Sequence, residues 1–244
     1  MSLPDETDEA SKDRAALGQR LRQTMHALVA SRSSGATLGS VKQRVRLWQN
    51  RRFARTYEDL HRMPRYAAAV DFFLGELYGE PDFSTRDADL VRVMPVMTRM
   101  LPAPALNTII DALAFETLCE ELDTALARAL GTDRLTVATY ARAFCRAGHA
   151  ELRRRQIAYV GEIGHALDRL TRWPMIGTTL KLMRAPARGA GLTTLQSFLE
   201  RGFAAFRHMR GAEEFLATIA ERETAIVARL FAGDPQPFEL EDES

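Results

Sequence analysis

The sequence predicts an all-α protein, a single compact bundle of about nine or ten helices. Apolar residues recur with the 3.6-residue period of amphipathic helices through most of the 244 residues. Segments rich in Val, Ile and Thr that alternate between apolar and polar residues are missing from the sequence, so no sheet is expected. Glycine and proline fall mainly between the periodic segments, where these residues end or redirect helices.

Both ends of the chain are acidic. Residues 1–13 carry five acids and one Lys, and residues 234–244 carry five acids and no base. We expect flexible tails at residues 1–10 and 233–244, with one helical domain at residues 11–232. The N-terminus lacks the apolar core of a secretory signal, and no apolar run approaches the ~20 residues that a membrane span needs. The expected location is therefore cytoplasmic.

Six segments in the first part of the chain follow the helical period. They are residues 11–31, 40–60, about 65–78, a helix after Ser84 that contains Pro95, about 104–130, and a short helix that ends at Gly148. The helix at 104–130 is apolar on two sides, through Leu106 and Ile110 in its first half and Leu122 and Leu126 in its second half. A helix that is apolar on two sides usually lies at the centre of a bundle.

The remaining sequence predicts four more helices. They are about 150–172, a short apolar helix at 175–184, a helix that begins at a Thr193–Gln196 capping box, and a last helix between Gly211 and Phe231. Gly161 and Gly164 lie within the first of these four. Two glycines inside a helix indicate that another helix approaches closely there.

Basic residues concentrate in and after the second helix. Residues 40–65 contain eight Lys or Arg and only two acids. Candidate residues for binding an anion or nucleic acid are Arg44, Arg51, Arg52 and Arg55. The alternative is that these arginines form an ordinary solvated face beside a core stripe. The net charge of only +1 argues against nucleic acid as a dedicated partner.

Two Glu-x-x-His spacings suggest a metal site. The pairs are Glu58 with His61 and Glu162 with His165. Helical di-metal carboxylate proteins use two such pairs together with a Glu from each of two other helices, and Glu116 or Glu120 could supply those ligands. The alternative is a chance match on solvated helix faces, where Glu162 would pair with a neighbouring Arg.

An aromatic-rich stretch lies within and just after the third predicted helix and includes Phe72, Tyr78 and Phe83. Core packing explains such a stretch, and a ligand or partner surface is the alternative. Phe72 to Gly79 reads FFLGELYG, followed by Arg86 and Asp87. The stretch resembles the bacterial proteins named after an "FFLEELY" motif, although Gly75 stands where that motif has Glu. The resemblance covers roughly residues 65–231 and implies a bacterial, cytoplasmic, helical protein, without catalytic residues to transfer.

No complete catalytic signature occurs in the sequence: it lacks a phosphate-binding Gly-rich loop, an HExxH pair and a GxSxG turn. The leading hypothesis is a non-enzymatic helical domain that binds a ligand or a protein partner and self-associates. A ferritin-like or haem-oxygenase-like metalloenzyme is the second hypothesis, and an anion or nucleic-acid binder through residues 42–55 is the third. The sequence assigns no cofactor.

Overall fold

The computed structural model describes residues 6–77 and 83–238. All regular structure in these two ranges is helical and contains no strand, which confirms the predicted all-α class. Within the same ranges, no helix is both long enough and apolar enough to cross a membrane.

The helices follow one another through short connections. They are α1 (Glu6–Ser34), α2 (Gly39–Thr56), α3 (Glu58–Arg62), α4 (Ala67–Phe72), α5 (Phe83–Met100), α6 (Ala103–Leu130), α7 (Val137–Ala147), α8 (Ala150–Thr171), α9 (Pro174–Leu182), α10 (Arg184–Gly189), α11 (Thr193–Met209) and α12 (Glu213–Phe231). A 3-10 turn at Ala36–Leu38 joins α1 to α2, and a π-helical turn at Phe73–Leu77 continues α4. Short connections of this kind favour packing between successive helices.

The central helix is α6, which packs against α1, α2, α7 and α8. In its first half, Leu106 and Ile110 share a buried cluster with Leu21 and Met25 of α1. In its second half, Leu126 and Leu130 belong to a different buried cluster with residues of α2, α7 and α12. The two-sided apolar pattern of this segment therefore predicted its central position correctly, because each half buries its apolar side against a different partner.

A third apolar cluster joins α4, α11 and α12. Its largest buried members are Tyr57, Tyr66, Phe206 and Phe215, and the ring centroids of Tyr66 and Phe215 lie 5.5 Å apart. The Tyr66 hydroxyl donates a 2.5 Å hydrogen bond to the Glu214 carboxylate, so the polar end of this buried side chain is satisfied at the edge of the cluster.

A helix start and a buried ring lie within the segments that the sequence analysis expects to be tails. Helix α1 begins at Glu6, within the segment expected to be flexible. At the other end, Phe238 is 2% exposed, and its ring centroid lies 5.4 Å from that of Trp48 and 5.7 Å from that of Tyr140. An aromatic ring placed after a run of polar residues can still be drawn into a core, since its burial outweighs the ordering of a few residues.

Two glycines on α8 differ in what surrounds them. A Cβ added at Gly164 would lie 2.4 Å from Cδ2 of Leu216, a buried residue of α12. A Cβ added at Gly161, one turn earlier, would meet nothing within 4 Å. The close approach between helices expected at these glycines is thus found at Gly164 and not at Gly161.

We predict that Gly164→Ala destabilises the protein by about 1–3 kcal/mol, because the buried Leu216 side chain must move to admit the new methyl group. Gly161→Ala is the matched control on the same helix, and it should stabilise by about 0.5–1 kcal/mol through reduced backbone freedom of the unfolded chain. The free energy of unfolding from urea titrations tests both. Equal effects of the two substitutions would contradict the close packing at Gly164.

Candidate functional site

A polar stripe runs along the middle of α6, inside the bundle. Glu116, Glu120 and Asp123 follow the i, i+4, i+7 spacing that places residues on one side of a helix. Glu120 is 3% exposed and Asp123 is 8% exposed. Burial of carboxylates at this depth requires basic partners, because an unpaired charge in the interior is strongly unfavourable.

The basic partners come from α1, α2 and α5. Lys42 and Arg46, one turn apart on α2, both contact the Glu120 carboxylate. Arg46 also reaches Asp123, with 3.1 Å between Nε and Oδ2. Arg32, near the end of α1, lies 2.9 Å from the Glu116 carboxylate and 3.6 Å from that of Glu120.

The start of α5 completes this group. Arg86 donates to the Glu116 carboxylate at 2.5 Å, and the neighbouring Asp87 contacts Arg32. Four bases and four acids therefore lie together, and we call them the ionic cluster: Arg32, Lys42, Arg46, Arg86, Asp87, Glu116, Glu120 and Asp123.

The connection between α1 and α2 packs tightly on the ionic cluster. A Cβ added at Gly35 would lie 2.7 Å from Oγ1 of Thr124 and 2.8 Å from Nζ of Lys42. Only a residue without a side chain fits there while Lys42 keeps its contact with Glu120. The turn after α1 is therefore part of the wall that excludes water from these ion pairs.

The ion pairs set the protonation states of the carboxylates. Burial alone would raise the pKa of Glu120, but the hydrogen bonds and positive charges of Lys42 and Arg46 outweigh it and lower the pKa below its ordinary value. Burial raises the pKa of Asp123, although Arg46 and Arg153 oppose this effect. Glu120 is thus held as a carboxylate and is unsuited to donating a proton as a general acid.

Cys119 lies on α6 between Glu116 and Glu120 and is not an activated nucleophile. Its Sγ accepts a 3.1 Å hydrogen bond from Nε2 of Gln156, on α8. Burial, with the nearby charge of Asp123, raises the pKa of the Cys119 thiol to about 12. A thiol with this pKa is protonated at neutral pH, and the thiolate is the form that reacts.

The structure does not gather the residues of the predicted metal site. Glu58 pairs with Arg62 on α3, and His61 lies 2.8 Å from the Asp71 carboxylate. Glu162 pairs with Arg155 at 2.6 Å, and both side chains are about half exposed. Nδ1 of His165 is 3.5 Å from the Glu213 carboxylate.

The two Glu-x-x-His pairs therefore have separate ion-pair partners, while Glu116 and Glu120 belong to the ionic cluster. Across the described ranges, no group of three or more His, Cys, Asp or Glu is placed to hold a metal ion. The i, i+3 spacing brings a Glu and a His together on one helix, but it does not bring two such helices together.

The basic residues of α2 do not form one outward surface. Arg52 is buried, donates to Glu223 at 2.5 Å and shares that carboxylate with the Tyr57 hydroxyl at 2.7 Å. Arg44 is exposed and donates to the backbone carbonyl of Asp133. Arg51 and Arg55 are exposed, so of the four predicted anion-binding residues one is committed to the interior.

Of the three residues of the predicted aromatic surface, Phe72 is the one whose side chain the structure describes. Its ring is partly buried, packs 5.3 Å from the ring of Phe198, and lies where a Cβ at Gly202 would be only 2.9 Å away. Phe72 is thus packed against α11. Tyr78 and the side chain of Phe83 lie outside the described residues.

Helix α9 exposes apolar side chains that the sequence reasoning did not single out. None of its residues is buried, and Met175 and Leu182 are 77% and 73% exposed. These two residues are seven apart, which places them on the same side of the helix. The opposite side meets α11, since a Cβ at Gly177 would lie 3.2 Å from the Phe203 ring.

The charges around α9 are all of one sign along the chain. Residues 169–199 contain five Lys or Arg and no acid. Arg184 is paired with Glu200 of α11 through two 2.7 Å hydrogen bonds, whereas Lys181 and Arg188 are exposed. We define the α9 surface as Trp173, Met175, Lys181, Leu182, Arg184 and Arg188. An apolar helix within a long acid-free stretch is the sequence signal that could have identified it.

These features define a helical bundle with an internal ionic cluster and an exposed short helix, α9, that carries both apolar and basic side chains. The chain belongs to a family described as a domain of unknown function (DUF8198), whose model matches residues 28–237. Both the ionic cluster and the α9 surface lie within the matched residues. Searches of the curated proteins and of the solved structures returned no match.

We predict that Glu120→Gln costs about 3–5 kcal/mol, because it removes the charged partner of buried Lys42 and leaves Arg46 with Asp123 alone. Glu121→Gln is the control, since Glu121 is the adjacent residue of α6 and is exposed. It should change the free energy of unfolding by no more than about 0.5 kcal/mol. Similar, small effects of both substitutions would show that the Glu120 ion pairs contribute little.

A pH dependence follows from the lowered pKa of Glu120. The folded state has the lower pKa, so ionised Glu120 stabilises the fold above its unfolded pKa of ~4.3, and this contribution is lost as pH falls through the folded value. The difference in unfolding free energy between the wild type and Glu120→Gln should therefore be largest near neutral pH and shrink below about pH 4. Urea titrations across this range test it, and a difference independent of pH would contradict it.

Proposed function

We propose that this chain is a non-enzymatic helical binding domain and that the α9 surface is its binding surface. The observation that supports this proposal is the combination of two exposed apolar side chains, Met175 and Leu182, with exposed Lys181 and Arg188 on the same short segment. Large apolar side chains that remain exposed beside charged ones are typical of interaction sites.

The interior supports a binding role over a catalytic one. The bases of the ionic cluster are each in contact with a carboxylate, and Glu120 is held ionised by them. The Cys119 thiol is protonated at neutral pH because of its raised pKa. The ionic cluster is accordingly assigned a structural role, which is to hold α1, α2 and α5 on α6 while α9 remains accessible.

The partner that fits the α9 surface is negatively charged and accepts apolar side chains. A symmetric contact between two copies would bring the two basic surfaces together, and like charges across an interface are unfavourable. Self-association through α9 is therefore less favoured than binding to an anionic partner. The same charge argument moves the anion-binding role from residues 42–55 to α9.

Three further assignments accompany the proposal. The likeness of Phe72–Gly79 to the FFLEELY-motif proteins supports a bacterial origin and a cytoplasmic location. Nucleic acid remains a poor candidate because the net charge of the chain is only +1.

Binding to immobilised heparin, a soluble model polyanion, tests the charge of the α9 surface. The double variant Lys181→Glu, Arg188→Glu should elute at lower salt than the wild type, because opposite-charge attraction at an exposed surface is salt-dependent. The matched control is Arg51→Glu, Arg142→Glu, which makes the same change in net charge at exposed residues of α2 and α7. Equal shifts in the two double variants would contradict a specific role for α9.

A further inference from the structure

We propose that the partner of the α9 surface is the anionic surface of a phospholipid membrane, on which α9 lies in the plane of the interface. This inference rests on the proposed binding role of α9 and names its partner. It requires no membrane-spanning helix, since an interfacial helix inserts only its apolar side between the lipid headgroups.

The geometry of α9 matches an interfacial helix. Met175 and Leu182 point away from the bundle on one side of α9, and Trp173 immediately before the helix is 42% exposed. The other side of α9 rests on α11 near Phe203, so the apolar residues are presented outward by a folded support. Trp is the residue most typical of the headgroup level because its ring is apolar and its indole N–H is polar.

The orientation of α9 is held by contacts on its inner side. Nε2 of Gln196 donates 2.6 Å and 2.7 Å hydrogen bonds to the Leu180 carbonyl and to Glu200. Glu200 in turn accepts both hydrogen bonds from Arg184, which holds the pKa of this carboxyl at about 2. Arg184 and Glu200 thus tie the α9–α10 junction to α11, so the outer apolar residues need not be ordered on binding.

The charges on this segment complement an anionic bilayer. Lys181 and Arg188 are exposed beside the apolar residues, and residues 169–199 contain no acid that would be repelled by lipid phosphate. Long basic side chains can place their charge at the phosphates while their methylene stems lie along the apolar layer. An acidic protein could satisfy the charges but would also need a matching apolar groove, whereas a bilayer provides both without further shape complementarity.

A second copy of the chain fits the surface less well. The six residues of the α9 surface are far fewer than the roughly 20–30 residues a side that a stable interface contains. A symmetric contact would also bring the exposed bases of the two copies together. The acidic residues at the ends of the chain are the complementary charges available within a second copy, and the experiment below includes this outcome.

Vesicle co-sedimentation with the full chain tests the inference. The wild type should bind vesicles of equal parts phosphatidylcholine and phosphatidylglycerol and should not bind vesicles of phosphatidylcholine alone. Each lost basic residue should weaken binding about fivefold, which corresponds to about 1 kcal/mol per Lys or Arg at an anionic surface. The double variant Lys181→Glu, Arg188→Glu should therefore weaken binding by at least about 25-fold, a factor of ~5 for each residue. The control variant Arg51→Glu, Arg142→Glu should weaken binding much less.

The apolar contribution is tested separately. Met175→Ser, Leu182→Ser should weaken vesicle binding at least about tenfold, because both side chains lose their insertion into the acyl layer. The matched control is Val91→Ser, Met100→Ser, which removes apolar side chains from exposed positions on α5 and should leave binding unchanged. Thermal unfolding should show that all four double variants remain folded, since the substituted residues are exposed.

Trp173 gives a direct spectroscopic measurement. Its fluorescence should shift to shorter wavelength when anionic vesicles are added, and this shift should disappear in Trp173→Phe while Trp48 is retained. Retention on heparin without vesicle binding would overturn the lipid inference and leave the proposed binding role intact. Loss of both would overturn both. Vesicle binding unchanged in Met175→Ser, Leu182→Ser, or a dimer in sedimentation that these substitutions dissociate, would also overturn the lipid inference.

Discussion

The Glu120 carboxylate lies inside the bundle against Lys42 and Arg46, and this contact constrains how α2 packs on α6. Removing an ion from water is costly, and the cost is offset only when oppositely charged groups are positioned around it. Arg32 adds a third base from α1, at 3.6 Å. The bases come from two different helices, α1 and α2. If either helix shifted relative to α6, a buried charge would lose its partner in the interior. The ionic cluster thereby fixes the mutual arrangement of these helices more strictly than apolar contacts alone, which tolerate sliding.

Several basic residues in the first part of the chain therefore serve the interior and not a binding surface. Residues 40–65 are rich in Lys and Arg, but Lys42, Arg46 and Arg52 are directed inward and bonded to carboxylates of α6 and α12. Charges neutralised within the molecule are not available to an anionic partner. On the α9–α10 segment, by contrast, Lys181 and Arg188 are exposed, and Met175 and Leu182 are exposed on the same segment.

Helix α9 is short and apolar, and among the residues that the structure describes, none covers its outer side, where Met175 and Leu182 lie. Its inner side is fixed on α11 through Gly177 and through the Gln196 hydrogen bond to Leu180. These contacts hold Met175 and Leu182 at the surface. Helix α9 could turn the two side chains inward only if the contacts with α11 were broken. A rigidly presented apolar side lowers the entropic cost of binding, since few side chains remain to be ordered.

The sequence by itself determined the helical class, the approximate bounds of the helices and the central position of α6, because these depend on local periodicity and on helix-ending residues. Tertiary structure alone decided which polar residues are internal. Glu120 and Lys42 are 78 residues apart, and the helical period is the same whether a polar side meets water or another helix. Tertiary structure also decided that the apolar residues of α9 stay exposed. Met175 and Leu182 have the spacing of core residues, but among the described residues no neighbour covers them.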